Sequence, residues 1–418
     1  MKIGFLLQQS PELRKPPLDG PAIHTCEVFR ELRGLGHEVR LVVRLDGRIW
    51  MTDDLVTFRP VVVPAMDSGP LRLMERAIRR LQRELRLPYA NLFESVRFAL
   101  ACRQACDGVE LLYERFSWMG LGGGLAARLL GRPLIAEYNG DPLHDLEAKG
   151  MAPRGLQLTL ALAMMRLAVG RMDLVVASGQ GWRDQFIQRW NYDPNRITTI
   201  ENGTSLVRLL RREDLRAYQP RTGQAADLRL VYLGGFLPWH GVEVLLRAFR
   251  SVRQQGVPAR LSLVGSGPGR EEIERQIAAS DLQADVELTG ALLPEAFGPL
   301  LAQSDIGLSP YCGWTEFSGL KLFDYKAAGL AIIASGEGGR PETLRHGRTA
   351  WIVPPCDSEA LAQAILHLAR DESLRTSLGR AARVEAEQRH GWDSTARQLE
   401  WVFTRARGNL GHVTASIA

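Results

Sequence analysis

"IGLSPYCGWTEFSGLKLFDYKAAGLAIIAS", residues 306–335, decides the fold. It opens on a strand end at IGLSP, crosses a loop, YCGWTEFSG, enters a helix, LKLFDYKAA, closed by Gly329, and runs on into a second apolar strand, LAIIAS. Short apolar runs joined by a helical pattern are the parts of a βαβ unit. The stretch also holds two acids. Glu316 falls in the loop and Asp324 more than a turn into the helix, so they share no helical face and touch different parts of one elongated ligand. A helix start presents unpaired N–H groups and a positive dipole end, which suit phosphate. Carboxylates accept hydrogen bonds, which suits paired hydroxyls. A sugar at one end, a ribose at the other and a diphosphate between them satisfy the spacing. A solvated Glu316 and an exposed helix acid at 324 satisfy it equally.

Working outward, the same alternation fills the chain. KIGFLL, EVRLVVRL, VELLYE, RPLIAEY and DLVVAS punctuate the first half, and LRLVYLGG, ARLSLVG, DVELTG, IGLSP and LAIIAS the second. The charged stretch LVRLLRREDLRAYQPRTGQAAD separates them and reads as a linker. The expected fold class is α/β, with two Rossmann-like doubly wound domains facing each other across a cleft and ligands beyond the carboxyl ends of the strands. The expected boundaries are 1–205 for the first domain, 206–226 for the linker and 227–390 for the second domain. A helix over 391–408 is expected to pack back toward the first domain, with a flexible tail over 409–418.

At 418 residues there is enough chain for two cores. The balance of 52 basic against 47 acidic residues leaves +5, which does not demand nucleic acid as a partner. Five cysteines with no CxxC pair argue against a disulfide framework and for a reducing cytoplasm. The opening MKIGFLLQQS reads as a first buried strand rather than a signal segment, and LQLTLALAMMRLAV (156–169) is too short to span a membrane. The expectation is a cytoplasmic protein, possible also as a peripheral one. That second option rests on LRLMERAIRRLQRELRL (71–87), which sets Leu71, Met74, Ile78, Leu81 and Leu85 at helical spacing among six arginines and two glutamates. Such a helix suits an anionic membrane surface, or it is an ordinary domain helix with its apolar side in the core.

The ordered set of motifs resembles retaining glycosyltransferases of family 4 over nearly the whole chain. The 316–324 segment is similar to their E-x7-E element, with Asp324 in place of the second Glu. VYLGGFLPWHGVEVLLRAF, LVGSGPGREEIE, VELTGALLPEAFGPLLAQSDIGLSP and GEGGRPETLRHGRTAWIVPPCDSEALAQAI follow the family order, as do DGPAIHTCEVFRELRGLGHEVRLVV and DLVVASGQGWRDQFI in the first half. The resemblance implies a GT-B fold. It assigns Asp324 to the nucleotide ribose and Glu316 to donor-sugar hydroxyls, and puts Phe317, Ser318, Gly319 and Leu320 around the sugar and diphosphate. Gly20, Gly234, Gly235 and Gly265 stand where backbone approaches the donor closely. No cofactor is implied, because the nucleotide sugar is a substrate.

The departures carry information too. Phe236 and His240 occupy positions where the family carries Arg and Lys. That leaves Lys321 as the replacement phosphate cation and His240 as a possible hydrogen-bond donor or titrating charge. Asn139 stands where many relatives carry an active-site His, with Glu137 and His144 nearby on the acceptor side. GSGPGR (265–270) fails the dinucleotide fingerprint at its third glycine, and no D-x-D or Cys/His cluster offers a metal site. The implied activity is metal-independent, retaining transfer from a nucleotide-sugar donor to a saccharide or lipid-linked acceptor. Bacterial glycan, glycolipid or cell-envelope polysaccharide synthesis is its expected setting. A GT-B epimerase or hydrolase, or a non-catalytic nucleotide-sugar-binding protein, remains the alternative.

Overall fold

A computed structural model of the chain describes residues 1–16, 18–84, 92–148, 150–219, 227–313, 319–339 and 341–414. Glu316, Phe317 and Ser318 therefore lie outside the described residues, as do Leu85 and Arg86 and the 220–226 end of the expected linker. The chain forms two compact units, Met1–Glu201 with Ala396–Ala418, and Asn202–Thr395.

The first unit is built on an eight-stranded sheet: β1 (Lys2–Leu7), β2 (Glu38–Leu45), β3 (Arg48–Thr52), β4 (Arg59–Pro60), β5 (Leu111–Arg115), β6 (Leu134–Tyr138), β7 (Leu174–Ala177) and β8 (Ile197–Thr199). Its order is β4-β3-β2-β1-β5-β6-β7-β8. The inner strands are apolar along their length because helices cover both faces of a parallel sheet. β3 and β4 are antiparallel additions at one edge. Asp46 and Gly47 turn the chain between β2 and β3 at φ 51° and 73°, left-handed values that an Asp-Gly pair adopts readily in a two-residue hairpin.

The second unit has six parallel strands, β9 (Leu228–Leu233), β10 (Ala259–Val264), β11 (Val286–Gly290), β12 (Ile306–Ser309), β13 (Ala331–Ser335) and β14 (Ala350–Val353), ordered β11-β10-β9-β12-β13-β14. The order reverses between β9 and β12, and a crevice opens beyond their carboxyl ends. The buried Tyr325 fixes that crevice. Its hydroxyl donates to the Leu308 carbonyl at 3.1 Å and accepts from the Leu233 amide at 2.7 Å, so the Leu320–Ala327 helix is tied to both strand ends.

Three features differ from the sequence expectation. The described part of the presumed linker, 206–219, is not free chain. Leu206, Leu210 and Leu215 are buried in the second unit's core, and the Arg383 guanidinium donates to the Leu210 carbonyl at 2.9 Å. The C-terminal helix runs Trp392–Thr414, further than its apolar period suggests. Cys312 and Cys356 form a disulfide joining the loop after β12 to the turn after β14, which corrects the reading of all five cysteines as reduced. An odd count excludes only a fully paired set.

The ends of the second unit are paired with each other. The Thr204 amide donates to the His390 carbonyl at 2.8 Å, Thr204 forms a parallel bridge with Gly391, and a Cβ on Gly203 would come within 2.7 Å of the Trp392 nitrogen. Among the described residues, no helix is long and apolar enough to cross a membrane.

Candidate functional site

At the carboxyl end of β9 the chain turns through Gly234 and Gly235 and then rises to His240. Gly234 has φ 150° and Gly265, after β10, has φ 145°; a Cβ on Gly265 would lie 1.9 Å from the Gly234 carbonyl oxygen. Only glycine allows two turns to approach this closely. Their amides are already spent, Gly234 on the Val264 carbonyl at 2.9 Å and Gly265 on the Gly290 carbonyl at 2.8 Å. These glycines permit close approach rather than donating to a ligand.

His240 is fixed by the Gly235 carbonyl. Its Nδ1 lies 2.6 Å from that oxygen, which also accepts from the Tyr232 hydroxyl at 2.6 Å. A carbonyl oxygen only accepts, so Nδ1 carries the proton. Burial, reinforced by the nearby Lys321 charge, lowers the His240 pKa to about 3. The ring is therefore neutral, and its Nε2 presents a lone pair. The sequence expectation of a donor or titrating charge at this position is corrected: His240 offers the site an acceptor.

Lys321, in the first turn of the Leu320–Ala327 helix, is only 7% exposed. Its ammonium sits 4.4 Å from the Tyr311 ring centroid and 5.5 Å from that of Tyr232, where ring faces attract a cation. A Cβ on Gly234 would come within 3.1 Å of the Lys321 Cε, which places the lysine stem against the glycine turn. Gly319 and Leu320, at the helix start, are partly buried beside it.

Asp324 lies one turn further along the helix. It is half-buried, and its Oδ1 accepts from the Thr204 hydroxyl at 2.6 Å. Desolvation raises its pKa to about 7 despite that bond, so protonated and ionised forms coexist near neutrality. Two turns, one buried cation, one neutral imidazole and one poised carboxyl thus converge where β9 and β12 part.

In the first unit, Gly20 opens the Gly20–Gly34 helix, capped by Asp19, whose carboxylate accepts from the Ala22 amide at 2.9 Å. Asn139 follows β6 directly, and its Nδ2 is buried without a hydrogen-bond partner among the described residues. Such a donor is available to a ligand. Glu137 is placed differently from the acceptor-facing role expected of it. It is 3% exposed and meets His24 Nε2 at 2.5 Å. Burial alone would raise its pKa, but the charge and hydrogen bond of His24, with help from Arg115 and Tyr113, hold it at about 2. Glu137 is thus an internal strut between β6 and the Gly20–Gly34 helix. His144 is half-buried on the short Pro142–Ala148 helix.

The comparisons agree with this architecture. A model described as "Glycosyl transferase 4-like domain" matches residues 19–203, and one described as "Glycosyl transferases group 1" matches residues 227–371. The sucrose-phosphate synthase of Thermosynechococcus elongatus superposes with a TM-score of 0.69 at 19% identity, covering 97% of this chain and 98% of that one. Anabaena HepE in complex with UDP-glucose superposes at 0.65 with 18% identity, covering 97% and 100%. The chain is a GT-B glycosyltransferase. Among curated relatives, the D-inositol 3-phosphate glycosyltransferase of Streptomyces scabiei (strain 87.22) is 26% identical over 404 residues, covering 93% of this chain and 86% of that one.

Thr204 and His24 are the residues that sequence reading of this glycosyltransferase misses. Each acts on a partner more than a hundred residues away, Asp324 and Glu137 respectively, and neither carries a local signal. Tyr232 and Tyr311 flank recognisable motifs, but their rings become relevant only once Lys321 is seen between them.

Proposed function

We propose that the glycosyltransferase moves a sugar from a nucleoside diphosphate donor to a hydroxyl acceptor, with retention at the anomeric carbon and without a metal ion. The observation that carries this reading is the Lys321 ammonium, enclosed by Tyr232 and Tyr311 beside the Gly234 turn. A diphosphate in that crevice meets one fixed positive charge with little water around it, where the charge is worth more than in bulk solvent. The charge developing on the departing phosphate is stabilised by a group that need not reorganise.

The remaining roles follow from position. Ionised Asp324 accepts from the ribose hydroxyls, and Thr204 orients its carboxyl. The His240 Nε2 accepts from a donor hydroxyl and leaves Lys321 as the cation of this group. The resemblance to family 4 gives Glu316 the donor-sugar hydroxyls, and the Asn139 amide helps to place the acceptor. The bond from the anomeric carbon to phosphate oxygen breaks as the acceptor oxygen bonds on the same face. The departing phosphate takes the acceptor's proton, so positioning and electrostatics supply the catalysis.

A saccharide or lipid-linked acceptor, in glycan, glycolipid or envelope polysaccharide synthesis, is the proposed context. A panel of nucleotide sugars with and without hydroxyl acceptors, in EDTA, tests the reading. Acceptor-dependent nucleotide release, with a product of the donor's anomeric configuration by NMR, is expected. An inverted product, loss of activity in EDTA, acceptor-independent turnover, or binding without turnover would each overturn the corresponding part.

A further inference from the structure

The Gly69–Glu84 helix is mounted in reverse for a core element. Glu75 is its one buried side chain among the described residues, and its carboxylate meets Arg79 and Arg97 at 2.6 Å each. Arg79 also meets Glu94 at 2.8 Å, Glu94 holds Arg44 of β2 at 3.1 Å, and Arg97 reaches Asp67 at 2.9 Å. The helix is thus seated on its unit through a polar strip.

Its apolar stripe is left uncovered. Leu71, Met74, Ile78 and Leu81 recur at intervals of three and four residues and are 39%, 46%, 37% and 55% exposed. An amphipathic helix ordinarily buries that stripe, since this is its main contribution to folding. The described helix carries five arginines against two glutamates. Arg76 and Arg83 are exposed and form no ion pair among the described residues. The uncovered apolar surface is also unevenly shared: of the seventeen large apolar side chains exposed among the described residues, only Leu209, Leu293 and Val384 belong to the second unit.

We propose that the Gly69–Glu84 helix docks this protein on an anionic lipid bilayer, with Leu71, Met74, Ile78 and Leu81 entering the boundary between headgroups and acyl chains and the arginines meeting lipid phosphates. An apolar stripe bordered by cations fits that surface on both counts. The ion network holding the helix from its polar side leaves the stripe available without unfolding. The inference is independent of the transferase reading, because vesicle binding needs no turnover.

Co-sedimentation of the full chain with vesicles of phosphatidylcholine alone, or with 30 mol% phosphatidylglycerol (about a third anionic lipid), tests it. Binding is expected only with the anionic lipid and should weaken with salt. Arg76→Gln with Arg83→Gln should lower partitioning about thirtyfold at low salt. Met74→Ser with Leu81→Ser should abolish sedimentation. Neither pair belongs to the ion network, and circular dichroism with an unchanged melting midpoint verifies that both fold. Arg345→Gln with Arg348→Gln, exposed residues of the second unit, should bind as wild type. Equal binding to neutral and anionic vesicles, no binding to either, or wild-type binding by either helix variant overturns the proposal. So does a dimer in solution that Met74→Ser with Leu81→Ser dissociates, which would assign the stripe to a second copy of the chain.

Discussion

Asp324→Asn separates what the second unit gains in binding from what it gives up in stability. The Asp324 pKa of about 7 means that about a tenth of the protein carries the carboxylate at pH 6 and about nine tenths at pH 8. If only the ionised form receives the ribose hydroxyls, nucleotide-sugar affinity should be about tenfold tighter at pH 8 than at pH 6. Asparagine should flatten that dependence and weaken binding at pH 8 by roughly 1.5–3 kcal/mol, the cost of a charged hydrogen bond. Stability should move the other way. A carboxyl whose pKa rises from 3.8 to about 7 on folding holds its proton more tightly in the folded state. Its contribution is therefore intact below about pH 4 and is lost as pH rises to 7. At about 1.4 kcal/mol per unit the loss is bounded near 4 kcal/mol, less what residual hydration of a half-buried group returns. Asp324→Asn should accordingly melt above wild type at pH 8 and level with it near pH 4. Calorimetric titration with an intact nucleotide sugar, which has no terminal phosphate to titrate, and thermal melts at both pH values read the two effects. Equal pH dependence in wild type and variant, or a variant less stable at pH 8, would refute the reasoning.

Lys321→Met should lower kcat/KM by about 100- to 1000-fold, as loss of a preorganised charge does. His240→Asn, which keeps a donor for the Gly235 carbonyl, should cost about tenfold or less, and the reverse order in initial rates would make His240 the principal phosphate contact. His24→Ala should destabilise the first unit by about 3–5 kcal/mol, because it strands the buried Glu137 charge. His24→Phe with Glu137→Leu should recover most of the loss in urea denaturation. A neutral His24→Ala would show that the pair holds nothing.

The strands themselves were legible because parallel strands buried on both faces are written as uninterrupted apolar runs, LRLVYL and AIIAS among them. The carboxyl edge of the second unit was legible for a related reason, since glycines that permit close approach have no substitute. Facing was not legible. The 71–84 pattern is the same whether its leucines point into a core or away from one, and the decision rests on Glu75, whose partner Arg97 lies in another helix. Nor was protonation legible: His240 reads as a titratable residue until the Gly235 carbonyl is placed 2.6 Å from Nδ1. The segment 206–219 reads as a linker because it is charged and its end carries no apolar period, while Leu206, Leu210 and Leu215 are too few to mark an element. They pack as an irregular strap secured by Arg383.

The bond between the Thr204 amide and the His390 carbonyl has an engineering consequence. Chain entry and chain exit of the second unit are stitched together within that unit, so residues 202–395 form a cassette with a single seam. Segments whose ends meet can be lifted out, replaced or rejoined in a new order without forcing their interior to adapt. Trading this cassette between chains would exchange the Lys321, His240 and Asp324 crevice as one piece, and the seam at Gly203 and Trp392 is where such a graft would have to match.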